Sequence, residues 1–222
     1  MKFPDISSLD LAYETGFHVG DGSLGWYQPH HYRYALSGNK GTESDFYKDV
    51  LVPLLANLYG LVPSISAYRN SIYATIYSKE LLRFKSEVVG LPVGRKDSLE
   101  RLPLAIVNQG RSNRAKMVSG LYDADASLKI RKTRSALYPR ISFAQKTRGI
   151  VSHVKEILFE DFEITSTMYR NDYDDKRTSK IETRWFLDIN GYPNLRRYSE
   201  LVGSRHPVVR RMIRFFLNCD LF

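Results

Sequence analysis

Two aspartates, Asp21 and Asp125, each close a short stretch in which small residues stand four apart. Gly16 and Gly20 precede the first, and Gly120 and Ala124 the second. Residues four apart share one helix face, and faces lined by small residues let two helix backbones approach closely. The spacing therefore predicts two helices packed as mates, with one carboxylate from each at the same end. Such a pair is unfavourable alone, because a helix C-terminus carries partial negative charge and neighbouring acids repel. A divalent cation removes both penalties and can bridge to a phosphate, with Mg²⁺ the natural partner of hard oxygen donors.

The elements that must position these acids occur twice. LRFKSEVVG (82–90) and LRRYSELVG (195–203) share six of nine residues at an offset of 113. Tyr68-Arg69-Asn70 recurs as Tyr169-Arg170-Asn171 at an offset of 101, and ETGFHVGDGSL (14–24) is echoed by VSGLYDADASL (118–128) at 104. The growth from 101 to 113 places a twelve-residue insertion near 172–183. A first helix is predicted from Ser8 to Gly20, with Ser7 and Asp10 in capping-box spacing, and its counterpart from Asn113 to Ala124. Hairpins rich in β-branched and aromatic residues follow at 26–38 and 127–145. Amphipathic helices are predicted at 45–60 and 149–159, further strands through 71–78 and 184–189, and closing helices at 79–89 and 194–202. Pro207 suits the first turn of a last helix over 206–218. The expectation is an α+β protein of two pseudo-symmetric αββαββα halves, residues 1–90 and 113–222, each with its helices on one face of an antiparallel sheet. Residues 91–112, punctuated by Pro92, Gly94, Pro103 and Gly110, are the linker, expected to cross the surface.

Composition narrows the partners. Hydrophobic residues make up 43% of the 222, enough for a packed core. The single cysteine, Cys219, excludes an internal disulfide and a multi-cysteine zinc site. With neither a signal-peptide pattern nor a run of eighteen apolar residues, the chain is expected to be intracellular (cytoplasmic in a prokaryote), neither secreted nor membrane-spanning. The net charge of +9 favours a polyanionic partner. Residues 1–110 hold 11 Lys/Arg and 11 Asp/Glu, so the second half, with 22 and 13, carries the whole surplus.

LAYETGFHVGDG (11–22) and MVSGLYDADA (117–126) resemble the two motifs of the LAGLIDADG homing endonucleases in their single-chain form. The resemblance extends over the duplicated chain, and it implies two antiparallel sheets forming a saddle on the major groove of double-stranded DNA, with the motif helices packed between the halves. It implies that Asp21 and Asp125 bind metal, Mg²⁺ or Mn²⁺, with the main-chain carbonyls of Gly20 and Ala124 as further ligands. The implied reaction is hydrolysis of both strands across the minor groove of one long asymmetric site, leaving short 3′ overhangs, by a monomer. The family's glutamine and lysine after the first hairpin fall on Gln145 and Lys146; in the first half the same position falls on Gly38-Asn39, with Lys40 one step on. His18, Ala126, Thr15 and Ser119 depart from the family pattern without removing a carboxylate.

Recognition is expected from the hairpins. Lys129 and Arg131 alternate with Leu128 and Ile130, which places cations opposite the core face, and Lys132 and Arg134 lie near the tip. Tyr32, Arg33, Arg69, Arg140, Arg170, Arg177, Lys180 and Arg184 are further candidates, reading base edges in the groove or holding phosphates. Gly20-Asp21-Gly22-Ser23-Leu24-Gly25 spells a dinucleotide fingerprint but follows a helix and precedes a strand, the wrong order. His18, in an apolar stretch, is expected to be packed. The alternatives are an RNA-binding intron maturase on the same scaffold, with intron RNA as partner, and a DNA-binding regulator; the two acids favour the nuclease.

Overall fold

A computed structural model describes residues 1–27, 29, 31–132, 137–175 and 180–218, with the side chains of 131, 132, 137, 175 and 180 also outside the description. Two helices run through the centre. The first, α1 (Leu9–Asp21), is capped by Ser8, whose Oγ accepts from the Leu11 amide. Ser8 therefore replaces the predicted Ser7, which donates its hydroxyl to Asp5 at 2.6 Å instead. Residues Leu11 to Val19 of α1 are all buried, as a helix enclosed on every side must be. Its mate is α6 (Arg111–Asp125), buried over most of its length. A Cβ on Gly16 would overlap the Met117 carbonyl oxygen, and one on Gly120 the carbonyl oxygen of Tyr13. The small residues are thus required for backbone contact between the two helices.

Each helix leads directly into an antiparallel four-stranded sheet. In the first half β1 (Gly22–Tyr27), β2 (His31–Asn39), β3 (Ser64–Tyr68) and β4 (Ser71–Tyr77) stand in the order β1-β2-β4-β3. In the second, β5 (Ala126–Lys132), β6 (Leu137–Gln145), β7 (Ser166–Asp175) and β8 (Lys180–Asn190) repeat that order. The insertion near 172–183 lengthens the β7–β8 hairpin relative to β3–β4. Between the hairpins of the first half run α2 (Lys40–Phe46) and α3 (Val52–Tyr59), joined by a wide turn over Tyr47–Leu51. Pro53, lacking an N–H for the Asp49 carbonyl, accounts for that widening. The counterpart, α7 (Arg148–Phe162), has no proline and is continuous. The closing helices are α4 (Lys79–Arg83) and α8 (Tyr192–Arg197), each extended by one wide turn, and α9 (Pro207–Asn218) follows. One apolar core joins both halves. Among the described residues, no helix is long and apolar enough to cross a membrane.

The connecting segment departs from expectation. It contains a short helix, α5 (Leu104–Val107), and it buries Leu91, Leu102, Ile106 and Val107. The Gly94 amide donates to the Leu24 carbonyl at 2.8 Å, and the Leu102 amide to Nδ1 of His153 at 3.1 Å. The aliphatic residues spaced between its prolines and glycines draw it into the core, so it is not a surface crossing.

The first half also encloses a charge pair without counterpart in the second. Glu14 and Lys85 are fully buried and ion-paired; Tyr34 and Tyr59 donate hydroxyls to the same carboxylate, and the Lys85 ammonium reaches Thr15 Oγ1 at 3.1 Å. The repeat places Val118 and Tyr198 at the equivalent positions. Removing one partner of a buried pair strands the other charge, so Lys85→Met is expected to cost ~3–5 kcal/mol. Glu14→Leu with Lys85→Met should recover part of it, because no charge is stranded although Tyr34 and Tyr59 lose their acceptor. Urea unfolding of the single and double variants measures the difference, and equal losses would contradict the expectation.

Candidate active site

Both acids sit on the last residue of their helix. Gly20 makes their approach possible: a Cβ there would stand 2.5 Å from Ala124 Cβ and 2.8 Å from Asp125 Oδ2. Burial, then the charge of Asp125, then that of Glu43 push the Asp21 carboxyl up to about 8, against the opposing pull of Lys96. Asp125 is pushed up to about 6 by burial, moderated by Lys96, by a hydrogen bond from Gln145 and by Arg184. Raised carboxylates of this kind take back their charge when a cation arrives.

The two halves equip their acids differently. Gly22 pairs with Leu36 in the first sheet and Ala126 with Phe143 in the second. Two residues further on, Gly38 and Gln145 are therefore equivalent. Gln145 Nε2 donates to Asp125 Oδ2. At Gly38, the space a side chain would take is filled by the Glu43 carboxylate, which accepts from the Asn39 amide. The first half thus presents an acid where the second presents an amide donor. Lys40, expected near this place, is the exposed first residue of α2, and none of its described hydrogen bonds or ion pairs reaches Asp21. Glu43 is the residue beside Asp21. The sequence expectation is corrected here because the chain enters α2 immediately after β2.

Lys96, on a single turn of the connecting segment, was missed altogether. Its ammonium donates to the carbonyls of His18 (3.2 Å), Val19 (2.8 Å) and Gly20. Burial lowers its pKa, while Asp125 and Asp21 hold it up. His18 is packed as expected, stacked on Tyr34 at 5.0 Å with burial pushing its pKa well down. The donor set fits a divalent ion. Two carboxylates and the Gly20 carbonyl are hard oxygens, and a positive ammonium already stands among them. Beyond this pair, no group of three or more acid, histidine or cysteine ligands occurs among the described residues. Lys146 pairs with Glu182 at 2.8 Å, which also accepts from Tyr173.

Strand alternation sorts the remaining candidates. Leu128, Ile141, Phe143, Leu187 and Ile189 face the core, so Lys129, Arg140 and Arg184 point to the open face. Arg140 pairs there with Asp188 at 3.1 Å, and Arg184 lies over the Tyr173 ring at 5.0 Å. Arg131 and Lys180 occupy open-face positions, and Lys132 a core-side one; their side chains, like Arg134 and Arg177 entire, lie outside the described residues. In the first sheet Arg33 is on the open face, 5.8 Å from the Tyr73 ring centre, and Arg69 sits at the β3–β4 turn against Tyr68. Two expectations are corrected. Tyr32 packs against the core, stacked on Trp26 at 6.0 Å. Arg170 pairs with Trp185 in register, shares the helix-side face with Met168 and bonds Asp172 at 2.8 Å. Both open faces carry rings, Tyr27, Tyr68, Tyr73 and Tyr77 on the first sheet and Tyr138, Tyr169, Tyr173 and Phe186 on the second, and the second adds more cations.

Residues 112–203 match the family model of the LAGLIDADG-like domain. No curated protein sequence matches the chain. Among solved structures, I-DmoI in complex with DNA and Mn is 17% identical with a TM-score of 0.61, over 91% of this chain and 99% of that one. I-DmoI with DNA and Ca is 15% identical, with a TM-score of 0.63 over 96% and 100%. The meganuclease I-CpaMI, bound to uncleaved DNA, is 12% identical, with a TM-score of 0.54 over 93% and 90%. At these identities the structural likeness concerns the fold, and it spans both halves.

Proposed function

We propose that this chain, which carries a LAGLIDADG-like domain and the fold of the LAGLIDADG homing endonucleases along its length, is a metal-dependent endonuclease that cuts both strands of a long asymmetric DNA site. The observation that carries the proposal is the meeting of Asp21 and Asp125 at one end of a close-packed helix pair between two open sheets. A binding protein gains nothing from two half-buried acids brought together between its sheets; a metal-dependent nuclease requires them. For the same reason the maturase reading is not pursued.

Asp21, Asp125 and the carbonyls of Gly20 and Ala124 would hold Mg²⁺ or Mn²⁺. When bound, the ion supplies Lewis-acid neutralisation of the charge that gathers on a phosphate undergoing hydrolysis. Gln145 fixes one oxygen of Asp125, and the other would remain available as a ligand. A phosphate arriving in the groove competes with Glu182 for Lys146, whose charge then stabilises the transferring group. One chain suffices, because both halves of the site lie in it, and cleavage leaves short 3′ overhangs. Incubation with a randomised duplex library and Mg²⁺ tests this: double-strand ends should map to one long sequence and vanish in EDTA. Breaks insensitive to chelation, or none, would contradict it.

The uneven charge gives a second expectation. Each phosphate contact contributes about −0.9 to the slope of log affinity against log salt. Neutralising Lys129, Arg131 and Arg140 on the second sheet should flatten the slope by roughly two to three units. Neutralising Arg33, Arg69 and Lys40 should flatten it less, because the first half is neutral overall. Salt titrations of both triple variants on one duplex decide this, and equal changes would refute a docking led by the second half.

A further inference from the structure

We infer that Lys96 is a tethered cation at the end of α1 and must leave the Gly20 carbonyl before a divalent ion can bind there. The inference rests on the metal-dependent reading above. An ammonium has three N–H donors, and the three carbonyls that Lys96 reaches, His18, Val19 and Gly20, are those of the last turn of α1. That turn carries the negative end of the helix dipole, and both carboxylates act on the same ammonium. Lys96 thus supplies, from within the chain, the positive charge that the paired acids demand.

Its placement is fixed on both sides. The Gly94 amide is bonded to Leu24 on β1, and the Leu99 amide closes the turn onto the Lys96 carbonyl at 2.9 Å. The side chain alone has to move for the site to open. An ion at the Gly20 carbonyl and an ammonium on the same oxygen repel twice as strongly as two unit charges, so the two cannot share that place.

Among the described residues, no lysine stands in this way at the end of α6. After the repeat LRRYSELVG (195–203) the chain continues as Ser204, Arg205 and His206, which bond Asp123 rather than the end of α6. At the offset of 113, the counterpart of Lys96 is Val209. Asp125 is steadied by the neutral Gln145. The ammonium acts on both carboxylates, but only the carbonyls at the end of α1 are occupied by it, so an ion on the α1 side must displace Lys96 while one on the α6 side need not.

Mn²⁺ binding to the full chain without DNA, followed by electron paramagnetic resonance, tests this. The wild type should show one stronger and one weaker ion. Lys96→Met should tighten the weaker ion by about tenfold or more. Lys96→Gln, which keeps donors for the carbonyls without the charge, should do the same and decides the matter should the Met variant fail to fold. Lys96→Arg should stay with the wild type. Equal Mn²⁺ affinity in wild type, Met and Gln variants would overturn the inference, as would an equal gain in the Arg variant. If the wild type binds Mn²⁺ and cuts DNA while the variants show no gain, only the role of Lys96 falls. If no form binds Mn²⁺ with or without DNA, the metal-dependent reading falls with it.

Discussion

Asp21→Asn and Asp125→Asn are each expected to lower double-strand cleavage by about 10³-fold or more, corresponding to a loss of ~4 kcal/mol of transition-state stabilisation. Each removes one of the two helix-end carboxylates, and an amide cannot replace the charge that holds a divalent ion. DNA affinity should move the other way or stay within about tenfold, because a carboxylate that would face the phosphates is lost. The two variants are not expected to be identical. Asp21 stands beside Glu43 and Asp125, so its loss relieves more repulsion and should raise stability more. Asp125→Asn leaves Gln145 Nε2 facing a side chain that can turn its own amide towards it. Strand-resolved nicking assays read these effects. Cleavage that survives both substitutions would remove the acids from the chemistry.

The second large effect is expected from the helix contact. Gly120→Ala puts a methyl group onto the Tyr13 carbonyl oxygen, and Gly16→Ala onto that of Met117. The obstacle in each case is backbone, which cannot rotate away. The helices must separate, and the cost should reach or exceed the ~1–3 kcal/mol of ordinary overpacking. Against a total stability of ~5–15 kcal/mol, the double variant should be close to unfolding. The single variants should fold and yet cut about 10²-fold more slowly, since a shift of about 1 Å in positioned groups has that consequence. Denaturant midpoints and cleavage rates measured on the same preparations test the coupling. Stability lost with cleavage unchanged would show that the helix spacing does not set the site.

Much of this was legible in the sequence because it rests on period and spacing. Gly16, Gly20, Gly120 and Ala124 specify a helix contact by their four-residue interval, and the repeat doubles every inference made from one half. Gln145 follows from the resemblance, whose glutamine and lysine come after the first hairpin. Arg184, expected only at the DNA, also acts through its charge on Asp125. Lys96 carried no such signal. It lies in a segment with no repeat partner, read as a surface linker on its prolines and glycines, and its aliphatic residues had too little periodicity to reveal burial. Glu43 escaped for a related reason: Gly38 has no side chain, and the acid filling its space comes from the next helix. Tyr32 and Arg170 were misplaced because residue type alone was used. Strand alternation, counted from the core residues Tyr34 and Leu187, puts both on the helix side.

The anomalous signal of Mn²⁺ in crystals of the chain with its cleaved DNA site would test most directly whether the paired acids hold metal at the scissile phosphates. Density is expected at the common end of α1 and α6, within coordination distance of Asp21, Asp125 and phosphate oxygens of both strands, with the Lys96 ammonium withdrawn from the Gly20 carbonyl. Mn²⁺ bound elsewhere on active protein, with both carboxylates empty, would contradict the assignment.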